Sequence, residues 1–156
     1  MEILVANIND VEALYDIEKE SFSMPWSQKA FEESINEDMY IFLKAVEDNN
    51  IVGYISLYKS FDEGDVVNLA VKEEYRRRGI ATKLLESLIE WCKENGIGRL
   101  LLDVRESNNQ AISLYSKKGF ERLYIRKDFY DKPKEDGVVM QLKLANDELM
   151  ESITTI

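Results

Sequence analysis

A chain of 156 residues, 45% hydrophobic and 32% charged, has the size of one domain and can bury a core, which excludes a disordered or fibrous protein. It contains no His, so Ser–His and Cys–His nucleophile pairs and His-based metal sites are excluded, and acid–base chemistry falls to carboxylates, Tyr, Lys, backbone or water. The net charge of −10 makes it a poor general binder of nucleic acid.

Glu2–Ala6 reads as a short strand. Asn9 or Asp10 can cap a helix running to about Phe22, in which Val11, Leu14, Tyr15, Ile17 and Glu18 keep a mostly helical spacing. Ser21–Ser27 is a loop containing Pro25, and Ser27 can cap a second short helix through Ile35. Tyr40–Val46 and Ile51–Tyr58 flank the turn Asp48-Asn49-Asn50 and read as an antiparallel hairpin. A further turn at Asp62-Glu63-Gly64 leads into a strand, Asp65–Val71. From Gly79 to Asn95 the period changes, and Leu84, Leu85, Leu88, Ile89 and Cys92 predict an amphipathic helix stopped at Gly96. Leu100–Val104 reads as a buried strand. Asn108 can cap a helix from Asn109 to Lys118, stopped by Gly119, and Phe120–Arg126 and Val138–Leu144 are the last strands.

No repeat and no linker interrupts this order. The reading is one α/β domain over residues 1–144 with a C-terminal tail, or a short terminal helix, over 145–156. The strand–helix–strand unit 65–104 has crossover length, so its strands should be parallel and neighbouring, with ligands gathering at their C-terminal ends. No apolar run reaches the roughly 20 residues of a membrane span. The N-terminal Met1–Val5 has no basic segment of a secretory signal, and the lone Cys92 cannot form an internal disulfide. A cytoplasmic protein away from membranes is the expectation.

Between Val67 and Thr82 a strand ends, a basic turn follows and a helix begins. The first amides of a helix have no internal acceptor and carry the positive end of its dipole. Gly79 and Ala81 present little or no side chain, so a pyrophosphate could approach the backbone there, and Arg76, Arg77 and Arg78 add attraction. The turn is neither a Walker A loop nor a dinucleotide Gly-x-Gly-x-x-Gly. A solvated arginine run before a surface helix is the plainer alternative.

Asp103 sits in an otherwise apolar strand, where a carboxylate is costly unless paired or hydrated. Alternation equally permits an outward-facing residue. Asn108 and Tyr115 are seven apart and lie on one helix face. Taken alone, Asn108 is a helix cap and Tyr115 packs with Ile112 and Leu114.

The two stretches together resemble a known family. Arg76-Arg77-Arg78-Gly79-Ile80-Ala81 is similar to the pyrophosphate turn of the GNAT N-acetyltransferases. Asn108 to Phe120, with Asn-x-x-Ala and Leu-Tyr-x-x-x-Gly-Phe, resembles that family's second coenzyme-A half. Ser21–Ser27, Asn68–Val71, Asp103–Asn108, Ile125–Tyr130 and Val138–Met140 resemble its ribosomal-protein-alanine branch (RimI), which acetylates the N-terminal alanine of a small-subunit ribosomal protein. The resemblance covers residues 1 to about 144. It implies the GNAT fold: a mixed, mostly antiparallel sheet with a central parallel strand pair and flanking helices.

It also implies roles. Leu69, Ala70 and Val71 would bind the pantetheine of acetyl-CoA like an added strand and polarise the thioester carbonyl. Arg77, Arg78, Gly79, Ile80, Ala81 and Thr82 would hold the pyrophosphate, and Asn108 the pantetheine arm. Tyr115 would protonate the departing thiolate. Asp103 stands where this branch expects a Glu as the base acting through water, and is one methylene shorter. Trp26 and Tyr130 would line the peptide groove, although simple packing accounts for them equally. No metal is required, and Cys92, among core leucines, is not expected to carry the acyl group.

The charge is uneven. Residues 1–64 hold 14 acidic and 4 basic side chains, and residues 65–156 hold 16 of each, with basic clusters at Lys72–Lys83 and Lys117–Lys134. Solubility alone would account for such a split. On the family reading, polyanionic acetyl-CoA suits the basic clusters and a basic ribosomal-protein terminus suits the acidic half. A family member acetylating a small-molecule amine, an enzyme for many protein N-termini, and a non-catalytic coenzyme-A sensor are the competing readings.

Overall fold

The computed structural model describes residues 1–144, so the expected tail at 145–156 lies outside the described residues. Seven strands and four helices follow the expected order: β1 (Glu2–Val5), α1 (Val11–Ser21), α2 (Gln28–Ile35), β2 (Tyr40–Glu47), β3 (Asn50–Ser60), β4 (Glu63–Val71), α3 (Ile80–Glu94), β5 (Arg99–Arg105), α4 (Asn109–Lys117), β6 (Glu121–Asp131) and β7 (Lys134–Lys143). The strands hydrogen-bond in the order β1-β2-β3-β4-β5-β7-β6. The described residues divide into two compact units, residues 1–59 with 66–88, and residues 60–65 with 89–144.

In the first unit β1 pairs antiparallel with β2, and β2 with β3. The β2–β3 turn shortens to Asp48 and Asn49, both at positive φ (53° and 63°), as the tight twist-matched hairpin turn requires. Asp10 stands at the N-cap position of α1, as expected, but makes no side-chain bond to the helix amides, because a capped 3-10 turn precedes it. Asn7, not Asn9 or Asp10, takes the N-cap of a 3-10 turn over Ile8–Asp10, its side chain accepting from the Asn9 amide while the Asp10 carboxylate reaches back to the Asn7 amide. The short polar pair thereby starts the helix one turn earlier than the apolar spacing shows. Ser27 caps α2 as expected, accepting from the Ala30 amide. Phe31 from α2 joins Leu14 and Ile17 from α1, and Phe42 and Tyr54 from β2 and β3, in one buried cluster.

In the second unit Glu63–Asp65 at the start of β4 pairs in parallel with Arg99–Leu101 of β5, as the crossover length predicts. β5 and β6 each pair antiparallel with β7. Gly96 and Gly119 take positive φ (74° and 97°) just past α3 and α4, and the amides of Ile97 and Phe120 bond back to the carbonyls of Cys92 and Tyr115. This is the left-handed C-terminal closure that glycine permits. β6 runs five residues beyond the expected Arg126. Register shifts at Arg122/Tyr124 and Arg126/Tyr130, with Asp128 at φ 54°, break the alternation that would have shown it. Among the described residues no helix is long and apolar enough to cross a membrane.

Candidate active site

The first unit holds the phosphate-turn candidates on one continuous stretch. Alternation along β4 turns Val66, Asn68 and Ala70 inward. Gly53 on β3 lets the strands close up, since a Cβ there would stand 3.0 Å from the Ala70 carbonyl oxygen. β4 ends at Val71, and the chain makes one 3-10 turn, Glu73–Tyr75.

The three arginines then part company. Arg76 folds back, its Nε donating to the Val71 carbonyl at 3.0 Å, so it braces the turn. Arg77 occupies a left-handed conformation at φ 66°, and the Arg78 guanidinium lies 4.9 Å from the Tyr75 ring centroid. Arg77 and Arg78 are both exposed. Gly79 has φ 79°, and a Cβ there would meet no atom within 4 Å. The glycine is therefore required by backbone conformation rather than by crowding. Its carbonyl accepts from the Lys83 amide and opens α3, and it has no side chain that could cap the amides of Ile80, Ala81 and Thr82.

The second unit holds Asp103, Asn108 and Tyr115. Asp103 faces outward from β5, a third of its side chain exposed, and pairs with Arg126 of β6 at 2.9 Å. The cost of a carboxylate in an apolar strand is met by this partner and by water. Beside it, Asp65 on β4 has its carboxyl held above the ordinary range by burial, then by the charges of Asp103 and Glu63, with Arg126 opposing. Asn108 does cap α4, accepting from the Ala111 amide at 3.1 Å.

Tyr115 is buried, its ring 5.5 Å from that of Phe120. Burial, with a smaller contribution from Tyr130, pushes its phenol well above the ordinary tyrosine value, so it stays protonated at neutral pH. Tyr130 is pushed up to about 12 by burial and by Asp103, against the Arg105 guanidinium 4.4 Å from its ring centroid. Arg105 also donates to the Pro133 and Lys132 carbonyls and pairs with Glu135, which in turn accepts from the Ser107 amide. That web ties the start of the α4 loop to the β6–β7 turn. Cys92 is buried, its thiol pushed up to about 12, a poor setting for a nucleophile.

The expected residues thus fall into two sets, Leu69–Thr82 in one unit and Asp103, Asn108 and Tyr115 in the other. Two participants carried no assigned role in the sequence reading. Arg126 lies 23 residues from Asp103, and only the β5–β7–β6 pairing brings it there. Glu18 is the other. Its position, i+7 from Val11 on an apolar stripe, is the signal that it is buried. Trp26, for which groove lining and simple packing were equal expectations, packs in the first unit against Phe31, Tyr40 and Phe42, with ring centroids 5.4, 6.0 and 6.5 Å away.

The Acetyltransferase (GNAT) family model matches residues 11–120. The ribosomal protein bS18-alanine N-acetyltransferase of Haemophilus influenzae is 40% identical over 134 residues, covering 84% of this chain and 90% of its own length. The ribosomal-protein-alanine N-acetyltransferase of Escherichia coli superposes with a TM-score of 0.87 at 31% identity, over 93% of this chain and 94% of that one. Arabidopsis thaliana NAA60 in complex with acetyl-CoA shares the fold, with a TM-score of 0.83 at 20% identity over 92% of this chain and 98% of its own. The chain belongs to the acetyltransferase (GNAT) family. It is an acetyl-CoA-dependent N-acetyltransferase, and its mixed sheet with the parallel β4–β5 pair is the expected fold.

Proposed function

We propose that this enzyme transfers the acetyl group of acetyl-CoA to the α-amine of a protein, with an alanine-initiated small-subunit ribosomal protein as its acceptor in the cytoplasm, and that residues 1–144 act as one acetyltransferase domain. The observation that carries the donor half is the left-handed Gly79 that opens α3 at the end of the basic turn following β4. Kinship at 40% identity with a ribosomal protein bS18-alanine N-acetyltransferase supports the acceptor half.

On this reading Ile80, Ala81 and Thr82 offer main-chain amides to the pyrophosphate, with Gly79 letting it approach, while Arg77 and Arg78 supply charge. Leu69, Ala70 and Val71 offer the edge of β4 to the pantetheine and the thioester carbonyl. Asn108 holds the pantetheine arm with the part of its amide that does not cap α4.

The α-ammonium of a peptide has a pKa near 8, so a modest base suffices. Asp103 takes the proton through water, and the free amine attacks the thioester carbonyl. The C–N bond forms, the C–S bond breaks, the leaving thiolate takes the phenolic proton of Tyr115, and the second proton shed by the new amide nitrogen restores that phenol through water. The excess of acidic over basic residues in 1–64 draws a basic N-terminal segment.

The test is direct. Recombinant enzyme, acetyl-CoA and a small-subunit ribosomal protein beginning with Ala are incubated and the product is weighed intact. One acetyl group on the N-terminal residue is the expected result. Acetylation confined to lysine side chains, or none, contradicts the proposal.

A further inference from the structure

The most deeply buried carboxylate of the first unit has no place in the reaction as described. Glu18 is 2% exposed, near the C-terminal end of α1. One of its oxygens accepts from the Tyr54 hydroxyl of β3 and from Asn68 Nδ2 of β4, the latter at 2.9 Å. Asn68 Nδ2 also reaches the Tyr54 oxygen at 2.9 Å. The other carboxylate oxygen accepts from the Trp26 main-chain amide, again at 2.9 Å. All four residues lie in the same compact unit.

A buried carboxylate is retained only when its lone pairs are met, and an apolar residue on this stripe would serve packing at lower cost. The partners show what the carboxylate holds together. Asn68 immediately precedes Leu69–Val71, the strand segment assigned to the thioester. Trp26 closes the loop between α1 and α2, on which Phe22 and Met24 remain 40% and 57% exposed. One carboxylate therefore fixes a strand with one oxygen and a loop bearing exposed apolar side chains with the other.

We propose that Glu18 is a positioning residue that holds the 22–27 loop in register with β4, so that the loop presents Phe22 and Met24 to the first side chains of the acceptor peptide. The proposal rests on the reading of this protein as a peptide acetyltransferase.

Replacing Glu18 with Gln keeps the shape and leaves a single acceptor oxygen. Whichever way the amide turns, one set of donors loses its partner. The loop amide, which can open to water, yields before the strand does. Glu18→Gln is expected to raise the peptide KM about tenfold while the KM for acetyl-CoA and kcat stay within about twofold, and to speed hydrogen exchange at the Trp26 amide. Ile17→Val, in the same core, serves as the destabilised control, with a lower Tm and both KM values unchanged. A merely structural Glu18 would behave like that control, and this result overturns the proposal.

Should Glu18→Gln not fold, the wild-type protein carries the test through exchange at the Trp26 amide. Further slowing on adding an Ala-initiated peptide, and none on adding acetyl-CoA, is expected; an amide indifferent to the peptide overturns the proposal. Wild-type enzyme that acetylates polyamines but no peptide refutes the functional reading itself, and the positioning proposal falls with it.

Discussion

Asp103 and Arg126, on two strands separated by β7, are held together at 2.9 Å, so the proposed base carries its own counter-ion. Both side chains are partly exposed, and such a pair contributes little to stability. Its significance lies in chemistry. Asp103→Asn is expected to lower kcat/KM on the order of a hundredfold, the usual scale for losing a positioned base, with acetyl-CoA affinity unchanged. Arg126→Gln should cost much less, because the carboxylate remains. Steady-state kinetics on both variants checks this, and equal losses would mean the pair acts as a unit.

Tyr115 supplies the proton to the thiolate on the same account. Tyr115→Phe should reduce kcat by ten- to a hundredfold while calorimetric binding of acetyl-CoA is preserved. The raised phenol pKa gives a second signature. A group whose folded pKa exceeds its unfolded value contributes stability that is complete below the unfolded value and is lost as pH rises through the folded one. Thermal melts should therefore show the wild type losing stability more steeply than Tyr115→Phe once the pH climbs past about 10.

Asn108 has two duties that substitution can separate. Asn108→Ala removes the cap and should cost about 1 kcal/mol as well as weakening acetyl-CoA binding. Asn108→Asp keeps an acceptor for the Ala111 amide and a charge suited to a helix N-terminus, so its Tm should match wild type. The affinity should still fall, since the amide donor is gone. Melts alongside titration calorimetry read the two effects independently.

Gly79 is irreplaceable for conformational reasons rather than for space. With φ 79° and nothing near a Cβ, Gly79→Ala should destabilise by about 1–2 kcal/mol, the cost of left-handed backbone for an L-residue. The acetyl-CoA Kd should rise with it, because the helix start is re-aimed. Arg77→Ala and Arg78→Ala should weaken binding without that stability loss, and more so at low salt. Arg76→Ala should resemble the glycine variant, since Arg76 braces the turn through the Val71 carbonyl.

The sequence was most legible where local rules act. Ser27 and Asn108 as caps, Gly96 and Gly119 as stops, and the crossover from β4 to β5 all follow from spacing and turn chemistry. Leu69–Thr82 lie consecutively, so a local motif suffices to single out the proposed donor-binding stretch. Residues whose meaning depends on pairing were opaque. Arg126 meets Asp103 only through β7, and the irregular register of β6 hid that strand's length. Glu18 sits in an apolar stripe with donors arriving from β3, β4 and a loop, none of them near it in sequence except Trp26. Arg76 reads as one of three equivalent cations in the sequence, and only the fold ties it to the Val71 carbonyl.

The most direct measurement compares kcat/KM for an Ala-initiated ribosomal-protein peptide, the same peptide with its N-terminus blocked but its lysines free, and a polyamine. A strong preference for the free N-terminus, abolished by blocking, is the predicted result. A blocked peptide or polyamine acetylated as efficiently as the free one would contradict it.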